Sequence, residues 1–105
     1  MDYDLKIAGG SIVDGTGSER YRGDVGIKDG RVVALGEAPG DATQTNDADG
    51  CVVSPGFVDI HTHYDAQILW DRMLSISPWH GVTTAVLGNC GFGVAPMRVE
   101  HREVV

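Results

Sequence analysis

The stretch Pro55-Gly56-Phe57-Val58-Asp59-Ile60-His61-Thr62-His63 constrains the fold more than any other part of the chain. A short run rich in Phe, Val and Ile, entered through a Pro-Gly corner, reads as a buried strand rather than a helix. Side chains alternate across a strand, so His61 and His63 share one side and Thr62 takes the other. Two imidazoles on one side of a strand end form a two-point grip for a metal ion.

The chain before this stretch reads as short strands and turns. Its fifteen glycines in 105 residues imply many tight turns. Asp4–Ala8 alternates polar and apolar residues, and Gly9-Gly10 is expected to turn the chain into a second strand, Ser11–Asp14. The glycines of Gly15-Thr16-Gly17-Ser18 mark a loop. Asp24–Lys28 and Arg31–Leu35 flank Asp29-Gly30, the strongest short-range hairpin signal. From Gly36 to Gly50 the only apolar residues are alanines and no period is visible, so this segment reads as a loop. Strand character returns at Cys51–Ser54, and the Pro55-Gly56 corner is the expected boundary between residues 1–56 and 57–105.

Beyond His63, apolar residues at 69, 70, 73 and 74 suit a helical segment over Tyr64–Leu74, which Ser75–Pro78 breaks. The β-branched run Val82–Leu87 reads as a second buried strand. Gly88-Asn89-Cys90-Gly91-Phe92-Gly93 makes a tight loop at its end, and Pro96 is placed to open a helix through the C-terminal residues. Two apolar strands joined by a crossover, each with candidate ligands past its C-terminal end, predict a βαβ unit with parallel strands. Chemistry in such sheets and barrels gathers at the strand C-termini, which brings His61, His63 and Cys90 within reach of one another.

Composition narrows the partners. The net charge is −7, with eleven Asp among fifteen acidic residues, and no Lys/Arg cluster is present to bind nucleic acid. No apolar run is long enough for a membrane span and no secretory signal pattern opens the chain, so a cytoplasmic location is expected. In that compartment Cys51 and Cys90 read as free thiols or metal ligands rather than a disulfide.

Zinc accepts imidazole nitrogen and thiolate sulfur at about 2.0 to 2.3 Å; it lowers the pKa of a water towards about 7 and polarises carbonyls, the chemistry of amide hydrolysis. Singly, each residue also has a structural reading. A His-x-His pair can be incidental, and a lone buried Cys packs as a small hydrophobe. Asp59 and Asp65 suit turn or hydrogen-bonding roles, His80 local packing or capping, and Trp70 and Trp79 a core or pocket wall. The loop 88–93 lacks both the G-x-G-x-x-G spacing and a P-loop lysine, so a phosphate cradle is poorly supported.

Together, the strand-rich N-terminal module, the Pro55–His63 stretch, His80-Gly81-Val82-Thr83-Thr84 and Gly88-Asn89-Cys90-Gly91-Phe92-Gly93 resemble the amidohydrolase superfamily. More narrowly, His63-Tyr64-Asp65-Ala66-Gln67 and the loop running from Gly88 to Pro96 resemble its N-acyl-D-amino-acid deacylase (D-aminoacylase) branch. The resemblance runs from about Asp4 to Pro96. It implies an α/β chain: the N-terminal part of a β-sandwich over 1–56, then the first βα units of an incomplete (β/α)8 metal-dependent hydrolase barrel over 57–105. It also implies a zinc cofactor, with His61 and His63 as first-strand ligands. Cys90 matches the cysteine that binds zinc in this branch where related amidohydrolases use a carboxylated lysine.

The family's further histidine ligands and its general-base aspartate belong to later strands. A full barrel needs about 250 residues, and 49 follow Gly56. The chain is therefore expected to be an N-terminal fragment without hydrolase activity of its own, and its exposed strand edges to favour aggregation. The implied activity is zinc-dependent hydrolysis of the amide bond of N-acyl-D-amino acids, a small-molecule substrate class. Two alternatives stand beside it: a dihydroorotase or hydantoinase type of amidohydrolase, which Cys90 disfavours, and a non-catalytic β-rich interaction module.

Overall fold

The computed structural model describes residues 1–90, 98–101 and 103. The chain divides into two compact units, Met1–Pro55 and Gly56–Val105.

The first unit is built on β1 (Tyr3–Ile12), a ten-residue strand paired on both edges. On one side it pairs antiparallel with β2 (Tyr21–Lys28), which pairs antiparallel with β3 (Arg31–Gly36). On the other, β4 (Ala42–Asp47) and β5 (Val52–Val53) both run parallel to it. The β2–β3 hairpin turns through Asp29 and Gly30 at φ +50° and +70°. Positive φ at both central residues suits a primed two-residue turn, which explains why Asp-Gly sits there. One sheet face carries an apolar groove of about 410 Å³ lined by Ile7, Ile12, Val25, Ile27 and Leu35 among others. Ile12, Val25, Ala38 and Ala48 are the buried apolar residues of this unit.

Two expectations fail in this unit. Gly9-Gly10 does not turn the chain: β1 runs straight through it, with the β1–β2 register shifting between Ile7 and Gly10. Gly9 adopts φ +71°, and its amide donates to Asp24 Oδ1 at 2.8 Å, so the glycines serve a β-bulge. The segment 36–50 is not all loop, because it contains β4. That strand is almost wholly exposed, so it carries no apolar period to read. Backbone pairing to the edge of β1 holds it instead.

In the second unit, β6 (Phe57–Asp59) and β7 (Val82–Ala85) form a two-stranded parallel sheet. The connection between them carries two single-turn helices, α1 (Tyr64–Gln67) and α2 (Ile76–Trp79), as the βαβ reading anticipates. Gly56 enters β6 where a Cβ would run into the side chain of Thr83. The close approach of the strands requires glycine there.

Several details differ from expectation. The segment 64–74 is helical for one turn only; the chain then bends through Leu74 at φ +48°. Asp71 holds this bend by accepting the Ser75 amide and hydroxyl, each at 2.9 Å. Residues 75–78 do not simply break the helix but begin α2, and the second strand stops at Ala85 rather than Leu87. The two strands are not buried among the described residues: Phe57 and Val58 are exposed. Trp70 and Trp79 are neither core nor pocket wall there, being 73% and 78% exposed. Buried Tyr64 hydrogen-bonds Ser77 through the two hydroxyls and lines a small pocket with Leu74, Val82 and Ala85. The helix expected from Pro96 begins outside the described residues; a 3-10 turn is seen at Val99–His101. Among the described residues no helix is long and apolar enough to cross a membrane.

Candidate metal centre

The chain leaves β6 at Asp59 and carries both histidines within the next four residues. His61 and His63 are exposed while Thr62 between them is 6% exposed. The two imidazoles lie on one side with ring centroids 6.4 Å apart and planes 25° from parallel. Just past β7, Gly88 at φ +89° bends the chain into Asn89 and half-buried Cys90. One ligand atom from each of His61, His63 and Cys90 lies within 4.8 Å of the other two. The expected trio is therefore brought together, past the C-terminal ends of two adjacent parallel strands.

The donor set fits zinc. Donors on one tetrahedral zinc ion stand about 3.3 to 3.8 Å apart, so the three donors, all within 4.8 Å of one another, need to close by at most about 1.5 Å to share one ion, and imidazole with thiolate is the borderline-soft combination that zinc accepts. Both cysteines are free thiols; Cys51 is exposed in the first unit and joins no such group among the described residues.

The backbone carrying the donors is held by polar contacts. The Val86 amide donates to the Asp59 carbonyl at 2.8 Å, and the His61 amide to Asp59 Oδ1 at 3.1 Å. Thr62 Oγ1 donates to the Val86 carbonyl at 2.9 Å, and Asn89 Nδ2 to the Ile60 carbonyl at 2.8 Å. Asp59 thus has the hydrogen-bonding role expected of it. Asp65, in the first turn of α1, is buried with Oδ2 unpartnered among the described residues. His80 ends α2, its amide bonded to the Ser77 carbonyl at 3.0 Å. The contacts of Thr62 and Asn89 join segments 24 and 29 residues apart, which local sequence does not reveal. The sequence signal for Thr62 is its place between the histidines, which sends it to the opposite side. The loop residues Gly91–Gly93 lie outside the described residues.

A parallel βα scaffold with a His-x-His pair past one strand and a cysteine past the next has the layout of a metal-dependent hydrolase site. The sequence pattern of the family described as "Amidohydrolase family" matches residues 44–105, and the chain belongs to that family. Within it, the likeness is to the D-aminoacylase branch. The chain is 42% identical over 96 residues to a D-aminoacylase of Alcaligenes xylosoxydans xylosoxydans, covering 90% of this chain and 20% of that one. A crystal structure of N-acyl-D-glutamate deacylase from Bordetella bronchiseptica, complexed with zinc and a phosphonate mimic of the tetrahedral intermediate, superposes with a TM-score of 0.84 at 42% identity. It covers 95% of this chain and 21% of that one. A D-aminoacylase crystal structure gives 0.82 at 41% identity, covering 90% of this chain and 20% of that one. The chain thus spans about a fifth of the length of these relatives. Its fold class is the one expected, a strand-rich part of a β-sandwich followed by the first βα units of a hydrolase barrel.

Proposed function

We propose that this chain is the N-terminal part of a protein that hydrolyses the amide bond of N-acyl-D-amino acids, using a zinc ion held in part by His61, His63 and Cys90. The observation that carries this reading is the gathering of two imidazoles and a thiol within 4.8 Å past two adjacent parallel strands, in a chain 42% identical to a D-aminoacylase. On this reading residues 1–56 are part of a β-sandwich and 57–105 open the catalytic barrel.

Zinc bound there supplies a Lewis acid that polarises the amide carbonyl and lowers the pKa of a water. The chain's own contribution is to hold the donors. His61 and His63 offer imidazole nitrogens from one side of the β6 extension, and Cys90 offers sulfur from the β7 loop. No carboxylate joins the three donors among the described residues. The reading therefore assigns the general base to residues other than these, and expects residues 1–105 alone to release no amino acid.

The test is zinc content and deacylation by the whole protein, assayed on N-acyl-D-amino acids against dihydroorotate and hydantoins. His61→Ala and Cys90→Ala are each expected to lose bound zinc and to lower deacylation by at least about 100-fold, the upper end of what even outer-shell metal-site changes cost. Unchanged zinc content in both variants would instead favour a non-catalytic module with structural histidines. Turnover of the cyclic amides alone would move the protein to the hydantoinase type.

A further inference from the structure

We propose that Thr62 and Asn89 are positioning residues of the metal centre, a reciprocal pair of side-chain hydrogen bonds that sets the separation between the imidazole pair and the Cys90 thiol. This rests on the zinc reading above. The β6–β7 register ends at Asp59 opposite Ala85, with one further backbone bond from the Val86 amide to the Asp59 carbonyl. All three donors lie beyond that point, where the strand ladder no longer fixes the backbone.

Apolar packing does not fix it either. Ile60 is 62% exposed, and Val86 and Leu87 are also exposed, so the apolar side chains at residues 60, 86 and 87 do not anchor these segments; between the histidines the buried side chain is that of Thr62 itself. The two side chains take over. Thr62, between the two histidines, donates from the β6 extension to the Val86 carbonyl at 2.9 Å. Asn89, next to Cys90, donates back from the β7 loop to the Ile60 carbonyl, next to His61, at 2.8 Å. One bond runs from the histidine segment to the cysteine segment and the other returns. Each anchoring residue adjoins a donor, so a slip of either segment breaks a directional bond. Thr62 lies between the two histidines, and its hydroxyl reaches the Val86 carbonyl just past the end of β7.

Thr62→Val keeps the side-chain shape and removes the donor; Thr62→Ser keeps the donor. Asn89→Ala removes the second bond at an exposed position, so it leaves the fold intact even if Thr62→Val fails to fold. The measurements are zinc affinity of the whole protein by chelator competition, and the thiolate-to-metal absorption of the cobalt-substituted protein, which reports Cys90 at the ion. Thr62→Val and Asn89→Ala are expected to weaken zinc binding by about 10- to 100-fold and to diminish the thiolate band, with Thr62→Ser close to the parent. Parental affinity and spectrum in both Thr62→Val and Asn89→Ala would overturn the proposal. So would equal losses in Thr62→Ser and Thr62→Val, which would assign the effect to packing. His61→Ala and Cys90→Ala, measured alongside, separate the two layers: if they bind zinc as the parent does, the zinc reading itself fails.

Discussion

In the unit Met1–Pro55 a ten-residue strand is paired along both edges, whereas in the unit from Gly56 the parallel ladder joins a strand of three residues to one of four. The first unit also has the larger share of buried apolar residues, four of the five in the described chain. An isolated two-stranded ladder is marginal in water, yet that is where the candidate metal ligands sit. The scaffold-rich unit carries no candidate chemistry, and the chemistry-bearing unit relies on individual polar contacts: Thr62 to Val86, Asn89 to Ile60, Asp71 to Ser75. Sites are commonly built on such segments, where few residues set the geometry and each contact counts.

The largest expected effect lies in the first unit. Ile12 is 2% exposed and its side chain meets the groove of the five-stranded sheet. Ile12→Ala is expected to cost about 2 to 5 kcal/mol, the transfer loss plus a cavity, read as a fall in the urea midpoint. A loss below about 1 kcal/mol would mean that the site collapses freely, and the contrast in packing between the units would then be overstated.

A smaller effect is expected at the entry to β6. Gly56→Ala puts a methyl group into the Thr83 side chain, with its Cβ as well as its branch atoms in the way, so rotating the threonine does not clear the space. Overpacking of this kind costs about 1 to 3 kcal/mol. Hydrogen exchange at the Val86 amide, which bonds Asp59, should quicken accordingly. Adding Thr83→Ala should restore part of the loss. If Gly56→Ala exchanges no faster than the parent, the two short strands are not held as closely as the structure has them.

What the sequence made legible follows the same division. The Asp29-Gly30 hairpin is readable because a local backbone demand, positive φ at both residues, is met by the residue types themselves. The trio of candidate donors is readable because imidazole and thiol at strand ends suggest one chemistry, and the fold brings the three together. β4 is not, since an exposed strand recruited by backbone pairing leaves no apolar pattern. Gly9-Gly10 misleads because glycine serves turns and bulges alike, and only the Asp24 contact distinguishes them. Over 64–74 the apolar spacing suggests a longer helix, but Leu69, Trp70 and Met73 are exposed, so no buried face sustains it past one turn. The roles of Thr62 and Asn89 depend on partners more than twenty residues away, a relation no local pattern contains.

The smallest effect tests whether polar contacts carry the second unit, and it is set by pH. The Ser75 amide, donating to the half-buried Asp71 carboxylate, holds its pKa below the ordinary 3.8; partial desolvation opposes this, and the Ser75 hydroxyl and Gln67 amide add to it. Because the folded pKa lies below the unfolded one, the contribution is fully present above about 3.8 and disappears as pH falls through the lower, folded value. Stability of the second unit should therefore have an acid-dependent part that Asp71→Asn removes, leaving a flatter profile below pH 4. Titration of the Asp71 carboxyl by NMR supplies the direct check. A midpoint at or above 3.8 would show that the Ser75 contacts do not hold the bend at Leu74, and would leave the clamps beside the donors as the polar supports of this unit that matter.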